Sequence, residues 1–301
     1  MHDVIILGAG PAGMTAAVYC ARKQLSVKLL TVDVGGQALW SDAVENYLGF
    51  DYIKGSDLVA RFEEHLKKFK VDMIYKTAVS VKDAKDGWAV KDKTGATHKA
   101  QTVIITTGKS PRRLGVPGED TWRGRGVTYC ATCDAPLFAG SDVAVVGGGN
   151  SGAEATLQLA DIASRVFLIE TGPHLIADEI LQSKIKAHPN VTVLTDATVT
   201  GINGNVLVES VDVHVTGKPR RLPVTGIFVE IGLTPNSACV KGLIKLNASG
   251  EIMVDRAGRT SRPGIFAAGD VTDEPDKQII IAAGDGARAA LAAYDYLLYM
   301  V

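Results

Sequence analysis

The chain opens on an apolar run, Asp3 to Leu7, which stops at Gly8-Ala9-Gly10-Pro11-Ala12-Gly13 and resumes as Met14, Ala17, Val18, Cys20 and Ala21. A short continuous apolar run predicts a buried strand, and apolar residues three and four apart predict a helix packed on one face. Ser26 to Val32 reads as a second strand closing at Asp33. The same order returns mid-chain: Val143 to Val146, then Gly147-Gly148-Gly149-Asn150-Ser151-Gly152, a helix from Ala153 to about Ile162, and a strand from Arg165 to Ile169 closing at Glu170. Between the two units, Ser56 and Asp57 cap a helix with Leu58, Val59, Phe62, Leu66 and Phe69 inward. Alternating runs near Val79 to Val81, Trp88 to Val90 and Thr97 to Lys99, broken by Asp86-Gly87 and Thr94-Gly95, predict a β-meander. Val103 to Ile105 is a buried strand ending in the small-residue turn Thr106-Thr107-Gly108. The stretch 109–126, rich in Pro, Gly and Arg without periodicity, predicts a linker. Past the second unit come an amphipathic helix around Ile180 to Ile185, a strand Ile227 to Glu230, a second crossing at Ile231 to Asn236, an apolar strand ending in Gly269-Asp270, and a closing helix from Gly284 to Tyr299.

Strand, G-x-G-x-x-G, helix is a nucleotide fingerprint. The glycines permit a tight turn and close backbone approach, so that the N–H groups opening the helix meet a pyrophosphate, and an acid closing the next strand accepts a ribose hydroxyl. Asp33 and Glu170 stand where those acids belong, although Val32-Asp33 also reads as an ordinary turn.

Between the fingerprints lies Cys130-Ala131-Thr132-Cys133-Asp134, two thiols two residues apart backed by a carboxylic acid. Such a pair switches between dithiol and disulfide. Zinc is the rival reading, but it needs further ligands, and Cys20 and Cys239 are isolated. A structural disulfide closing so short a loop constrains the unfolded chain little. Cys20, on the apolar side of its helix, reads as core. Two nucleotide units flanking a dithiol suggest a relay from a nicotinamide through a flavin to sulfur.

Composition narrows the class. The 301 residues suit two domains. With 32 basic and 33 acidic side chains, the net charge of -1 supplies no field for nucleic acid or an anionic membrane. No apolar run approaches membrane-spanning length. One close cysteine pair among four cysteines suits a catalytic dithiol in the cytoplasm better than a disulfide framework.

Nearly the whole chain resembles the low-molecular-weight, bacterial-type flavin thioredoxin reductases. The resemblance rests on Gly8 to Gly13, Gly35-Gly36-Gln37, Val44-Glu45-Asn46, Cys130 to Asp134, Gly147 to Gly152 with Glu154, and Gly264 to Val271 followed by Gln278. It implies an α/β fold of two Rossmann-like, three-layer ββα nucleotide-binding domains, the second inserted into the first. Residues 1–112 and 241–301 would form a discontinuous FAD domain, and 113–240 a pyridine-nucleotide domain carrying the dithiol. By the same resemblance Gly8, Gly10, Pro11, Ala12, Gly13, Asp33, Gly36, Gln37, Asn46, Thr107, Gly108, Gly269, Asp270, Gln278 and Ile279 hold FAD, with Asn46 and Gln278 by its ring and Asp270 on its ribitol chain. Gly147, Gly149, Asn150, Ser151, Gly152, Glu154 and Glu170 hold the nicotinamide cofactor. Cys133 is the sulfur nearer the flavin, Cys130 the one that meets the partner, and Asp134 the acid/base. A thioredoxin or thioredoxin-like protein is the implied partner, and a homodimer the implied assembly. Dithiol and nicotinamide site share one domain, so both reach a single flavin by rotation on two linkers, near Lys109 to Val116 and Ile231 to Lys241.

The sequence departs from the family where NADPH-dependent members carry arginines. Here the region reads Glu170-Thr171-Gly172-Pro173-His174, with no arginine for a 2′-phosphate and an acid that repels one, so NADH is expected over NADPH. His174 is the one side chain there that favours phosphate. Relatives fed by ferredoxin or a deazaflavin, and dithiol oxidases on the same scaffold, are the alternatives, and the intact second fingerprint weighs against both. Ala135-Pro136 follows Asp134 where the family more often has Gly and an aromatic residue. Trp40 is expected to shield the flavin or pack in the core. Arg112, Arg113, Arg123 and Arg125 suit either an acidic partner or plain solvation. No metal site is expected.

Overall fold

A computed structural model describes residues 1–41 and 44–299, the Trp40 side chain excepted. The expectation for Trp40 therefore falls outside the described residues. The chain divides into two compact units, Met1–Ser110 with Thr234–Val301, and Pro111–Leu233.

The first unit begins with strand β1 (His2–Ala9), helix α1 (Pro11–Arg22), β2 (Val27–Val34), α2 (Gly55–Leu66) and β3 (Val71–Tyr75). β4 (Ala78–Ala84), β5 (Gly87–Asp92) and β6 (Thr97–Ile105) form the meander, and β7 (Lys109–Pro111) ends this passage. The second unit holds β8 (Val127–Thr128), the short helix α3 (Ala131–Asp134), β9 (Asp142–Val146), α4 (Asn150–Ala160), β10 (Arg165–Ile169) and α5 (Glu179–Ala187). It continues with β11 (Val191–Leu194), β12 (Ala197–Gly204), β13 (Val208–Val215), β14 (Lys218–Pro223) and β15 (Gly226–Val229). β16 (Leu233–Pro235) returns the chain to the first unit, which closes with β17 (Ile265–Ala267) and α6 (Ile279–Tyr299).

In the first unit β3, β2, β1, β6 and β17 form a parallel sheet, with β5 and then β4 joined antiparallel to the front half of β6. Successive side chains of a strand face opposite ways, and the core divides accordingly. Val4, Ile6, Leu29, Ile104 and Phe266 pack with α1 and α6, whereas Ile5, Leu7, Leu30, Val103 and Ile105 pack with Val81, Trp88 and Val90 of the meander. The second unit repeats the scheme on the parallel sheet β11-β10-β9-β15-β8. Val143, Val145, Val166 and Leu168 face Ala153, Leu159 and Ile185 of the helices, and Ala144, Val146, Phe167 and Ile169 face Val199, Val211 and Leu222 of the antiparallel sheet β12-β13-β14. Each unit is therefore three layers, helix on sheet on sheet, the architecture that the family resemblance implies.

The closing helix differs from expectation. It starts at Ile279, so Gly284 and Gly286 lie inside it. A Cβ on Gly286 would sit 2.1 Å from the Ala12 carbonyl oxygen, so the glycine is there to let α6 rest on the start of α1. β2 likewise runs on to Val34, placing Asp33 inside the strand. The return crossing falls between Leu233 and Thr234, where β16 pairs with β7, earlier than the expected 240/241.

Candidate active site: a dithiol between two nucleotide turns

The two glycine turns make the same three demands. Gly8 and Gly147 have positive φ (105° and 124°), and a Cβ on either would meet the backbone carbonyl of a neighbouring segment, Thr106 at 2.5 Å and Glu230 at 2.3 Å. Gly13 and Gly152 pack helix against turn, a Cβ falling 1.8 Å from the carbonyl oxygens of Gly8 and Gly147. Gly10 and Gly149 cap their helices and are crowded by nothing nearby: no atom lies within 4 Å of a Cβ on Gly10, and only Ile176, at 3.9 Å, approaches one on Gly149. The fold itself thus leaves the middle glycine free, and open space over the first N–H groups of a helix is a cradle for an anion.

The acids differ between the turns. Glu170 Oε2 accepts from Gly148 N at 2.7 Å, while its Oε1 accepts from Gly172 N at 2.7 Å and from the Thr171 hydroxyl at 3.1 Å. Burial opposes its charge, but these donors outweigh burial and hold the carboxyl below the ordinary range. In the first unit Thr31 takes the corresponding place, its hydroxyl accepting from Ala9 N at 3.1 Å, and Asp33 is exposed. Asn150 exchanges two bonds with Asp178, and His174 is exposed beside Glu170's loop.

Around the first turn, the structure brings together residues far apart in sequence. Asn46 Nδ2 donates to Gln278 Oε1 at 3.1 Å, one residue before α6 opens at Ile279. Gln37 donates to the Lys109 carbonyl at 2.9 Å, and Gly36 lies with its Cβ direction 3.8 Å from Gly10 Cα. Thr107 and Asn236 hold each other through two bonds, at 2.7 and 2.9 Å, beside Gly108. Gly269 has φ +72° and turns the chain so that half-buried Asp270 follows β17. Burial raises the Asp270 carboxyl pKa, against the pull of Lys277 and Lys109. Those two lysines share Glu251, a half-buried charge cluster that carries no periodicity or motif in the sequence.

Cys130 and Cys133 are joined as a disulfide with Cα atoms 5.4 Å apart. Cys130 is the N-cap of α3 and Cys133 lies within it, so the pair straddles a helix start. Thr128 is an unforeseen organiser: its hydroxyl donates to Asp134 Oδ2 and accepts from Cys130 N at 3.2 Å, fixing acid and dithiol in one frame. Asp134 and Ala135 are buried. Glu230, just past β15, sets its Oε1 3.3 Å from Ala131 N. Its signal was an acid at the carboxyl end of a buried parallel strand, where open α/β sheets place ligands. The linker arginines are engaged locally: Arg113 bonds Asp120, and Arg125 donates to the Thr121 carbonyl and covers the Trp122 ring. Cys20 and Cys239 are buried, burial pushing their thiols up to about 12 and about 11. Among the described residues no group of three or more His, Cys, Asp and Glu is gathered as a metal site.

Two nucleotide turns of identical construction with a disulfide at a helix start match, over residues 2–289, the profile of the pyridine nucleotide-disulphide oxidoreductases. The chain belongs to that family. It is 43% identical over 298 residues to a Bacillus subtilis protein named NADH dehydrogenase, and 45% identical over 302 residues to one of the subunits of alkyl hydroperoxide reductase in Pseudomonas putida, each comparison covering 98% of this chain. The chain spans 58% of the length of each of those relatives. A solved thioredoxin reductase from Streptococcus pyogenes superposes with a TM-score of 0.93 at 40% identity, covering 99% of this chain and 98% of that one. The chain's fold is that of the thioredoxin reductases. No described helix is long and apolar enough to cross a membrane.

Proposed function

We propose that the chain is a thioredoxin-disulfide reductase that prefers NADH. The observation that carries the reading is the disulfide at the start of α3 in the same unit as the second fingerprint, whose acid, Glu170, is held ionised by three donors. The residues fit both implied groups. Open space over Gly10 at the start of α1 suits the FAD pyrophosphate, and the matching space over Gly149 suits that of the nicotinamide cofactor. FAD, when bound, carries two electrons from a hydride donor to a disulfide. Around it the chain's own residues position: Asn46 and Gln278 form the pair expected beside the ring, and Asp270 the acid expected on the ribitol chain.

In the second unit Glu170 offers its remaining lone pairs to a ribose diol and repels a 2′-phosphate, which supports NADH. The relatives named NADH dehydrogenase and the thioredoxin reductases of similar structure support the donor and the acceptor respectively. Cys130 opens the mixed disulfide with a thioredoxin-like partner, Cys133 receives the electrons, and Asp134 delivers the proton to the departing sulfur. Because the dithiol and the nicotinamide site lie in one unit, they serve one flavin in turn by rotation about β7 and β16. The 45% identity to a component of alkyl hydroperoxide reductase favours one further acceptor, a peroxide-reducing thiol protein reached through the same dithiol.

The test is steady-state reduction of thioredoxin by the FAD-loaded chain with NADH. Turnover that vanishes in Cys130→Ser is expected; rapid oxygen consumption with a small dithiol, independent of NADH, would instead assign a dithiol oxidase.

A further inference from the structure

Glu230 is the first residue after β15, the strand paired on both sides in the middle of the second unit's sheet. Its carboxyl accepts from Ala131 N at 3.3 Å, which sets an acid against the first turn of the helix that bears the dithiol. Its backbone carbonyl abuts Gly147, the first glycine of the second fingerprint. Glu230 therefore stands between the dithiol helix and the nucleotide turn.

The charged group acting on it from α4 is Glu154. On the dithiol helix the titratable groups are Cys130, Cys133 and Asp134, the last held by Thr128, and two residues further along the chain Arg112 packs against Gly232. Among the described residues no cation acts on Glu230. Burial pushes its carboxyl up to about 7, with the Ala131 N–H pulling down and Glu154 pushing further up. The N–H that Glu230 accepts from belongs to the residue directly after Cys130, so a negative charge gained at that sulfur opposes the charge on the carboxylate.

We propose that Glu230 is a positioning residue that takes up a proton when the Cys130–Cys133 disulfide is reduced. The inference deepens the proposed function and rests on it only for the redox role of the dithiol. Reduction breaks the S–S bond with two electrons from the reductant. One sulfur takes a proton from water and becomes a thiol, while the other stays a thiolate at the helix start. A second proton from water goes to the Glu230 carboxylate. Disulfide, carboxylate, two electrons and two protons thus give thiol, thiolate and neutral acid, with the charge of the site unchanged.

The test is equilibration of the FAD-loaded chain with dithiothreitol and its oxidised form, anaerobically, from about pH 6 to about pH 9, scored by alkylation of Cys130 and Cys133. Dithiothreitol releases two protons on oxidation below its own thiol pKa values. Above about pH 7 the wild-type equilibrium constant is therefore expected to stay level, because the site takes up both protons. In Glu230→Gln only one is taken up, and the constant is expected to climb about tenfold per pH unit. Superimposable profiles in the folded variant would overturn the proposal. Should Glu230→Gln fail to fold, Glu154→Gln reports instead: loss of its charge moves the start of the level region to lower pH, and an unmoved profile overturns the proposal. The titration needs neither NADH nor thioredoxin, so its outcome is independent of whether the donor and partner assigned above are right.

Discussion

Gly152→Ala and Gly149→Ala separate what the second fingerprint does for folding from what it does for binding. A methyl on Gly152 would lie 1.8 Å from the Gly147 carbonyl oxygen and 2.8 Å from its carbon. Reaching 3.0 Å, a separation below which real Cβ atoms essentially never approach, means moving helix from turn by about 1.2 Å. The atom in the way is backbone, at a turn already fixed by the positive φ of Gly147 and by bonds from Ile176 N and Ala177 N to the Gly148 carbonyl. Overpacking costs about 1 to 3 kcal/mol where side chains can yield, and the upper end applies here. The Gly149 methyl meets only Ile176 at 3.9 Å, ordinary contact, and its helix-cap position tolerates Ala for less than about 1 kcal/mol. Thermal unfolding and NADH titration are the assays. Gly152→Ala is expected to destabilise the second unit by about 3 kcal/mol. Gly149→Ala should unfold like wild type yet bind NADH at least about tenfold more weakly, because its methyl occupies the space assigned to the pyrophosphate. Wild-type NADH affinity in Gly149→Ala would refute that assignment.

Four further outcomes follow from the geometry. Glu170→Gln should narrow the preference for NADH over NADPH by about tenfold to a hundredfold in kcat/KM, since it removes the charge that repels a 2′-phosphate; an unchanged ratio would move specificity elsewhere. Asn46→Ala, which breaks the bond to Gln278, should weaken FAD retention by about 1 kcal/mol in equilibrium dialysis while leaving the unfolding of the FAD-free chain near wild type. The Glu230 carboxyl is raised in the folded chain to about 7, from an ordinary 4.5, so its ionisation costs stability that appears as pH rises through that window. Glu230→Gln should accordingly be more stable than wild type by up to about 3 kcal/mol above pH 8 and equal to it below pH 4.5, measured by urea unfolding. Iodoacetamide on the folded, reduced chain should label Cys130 and Cys133 and spare Cys20 and Cys239, whose burial raises their thiols far above working pH.

The glycine turns and the dithiol were legible because each imposes a local rule: positive φ or contact at 1.8 Å admits only glycine, and a two-residue gap lets cysteines meet across one helix start. The alternation of Val143 and Val145 against Ala144 and Val146 was hidden within a plain apolar run, since a strand covered on both faces shows no polar phase. What the sequence concealed depends on distance. Thr128, Asn236, Lys109, Lys277 and Glu251 act through partners that only folding brings near, and none belongs to a periodic pattern. Spacing marks Asp33 as the ribose acid; in the structure it is exposed near the end of β2, and the hydroxyl of Thr31, two residues before it, holds the turn. α6 runs through Gly284 and Gly286, and Gly286 answers to the approach of α1, a requirement of packing that local propensity reads as a break.

On the proposed function, electrons enter at the second fingerprint from NADH and leave through the dithiol. Anaerobic stopped-flow mixing of the FAD-loaded chain with NADH, NADPH or reduced ferredoxin, following flavin bleaching, tests this route most directly. Reduction that is fast and saturable with NADH, at least about tenfold less efficient with NADPH and absent with ferredoxin is the predicted result. Flavin bleached by ferredoxin and untouched by NADH would contradict it.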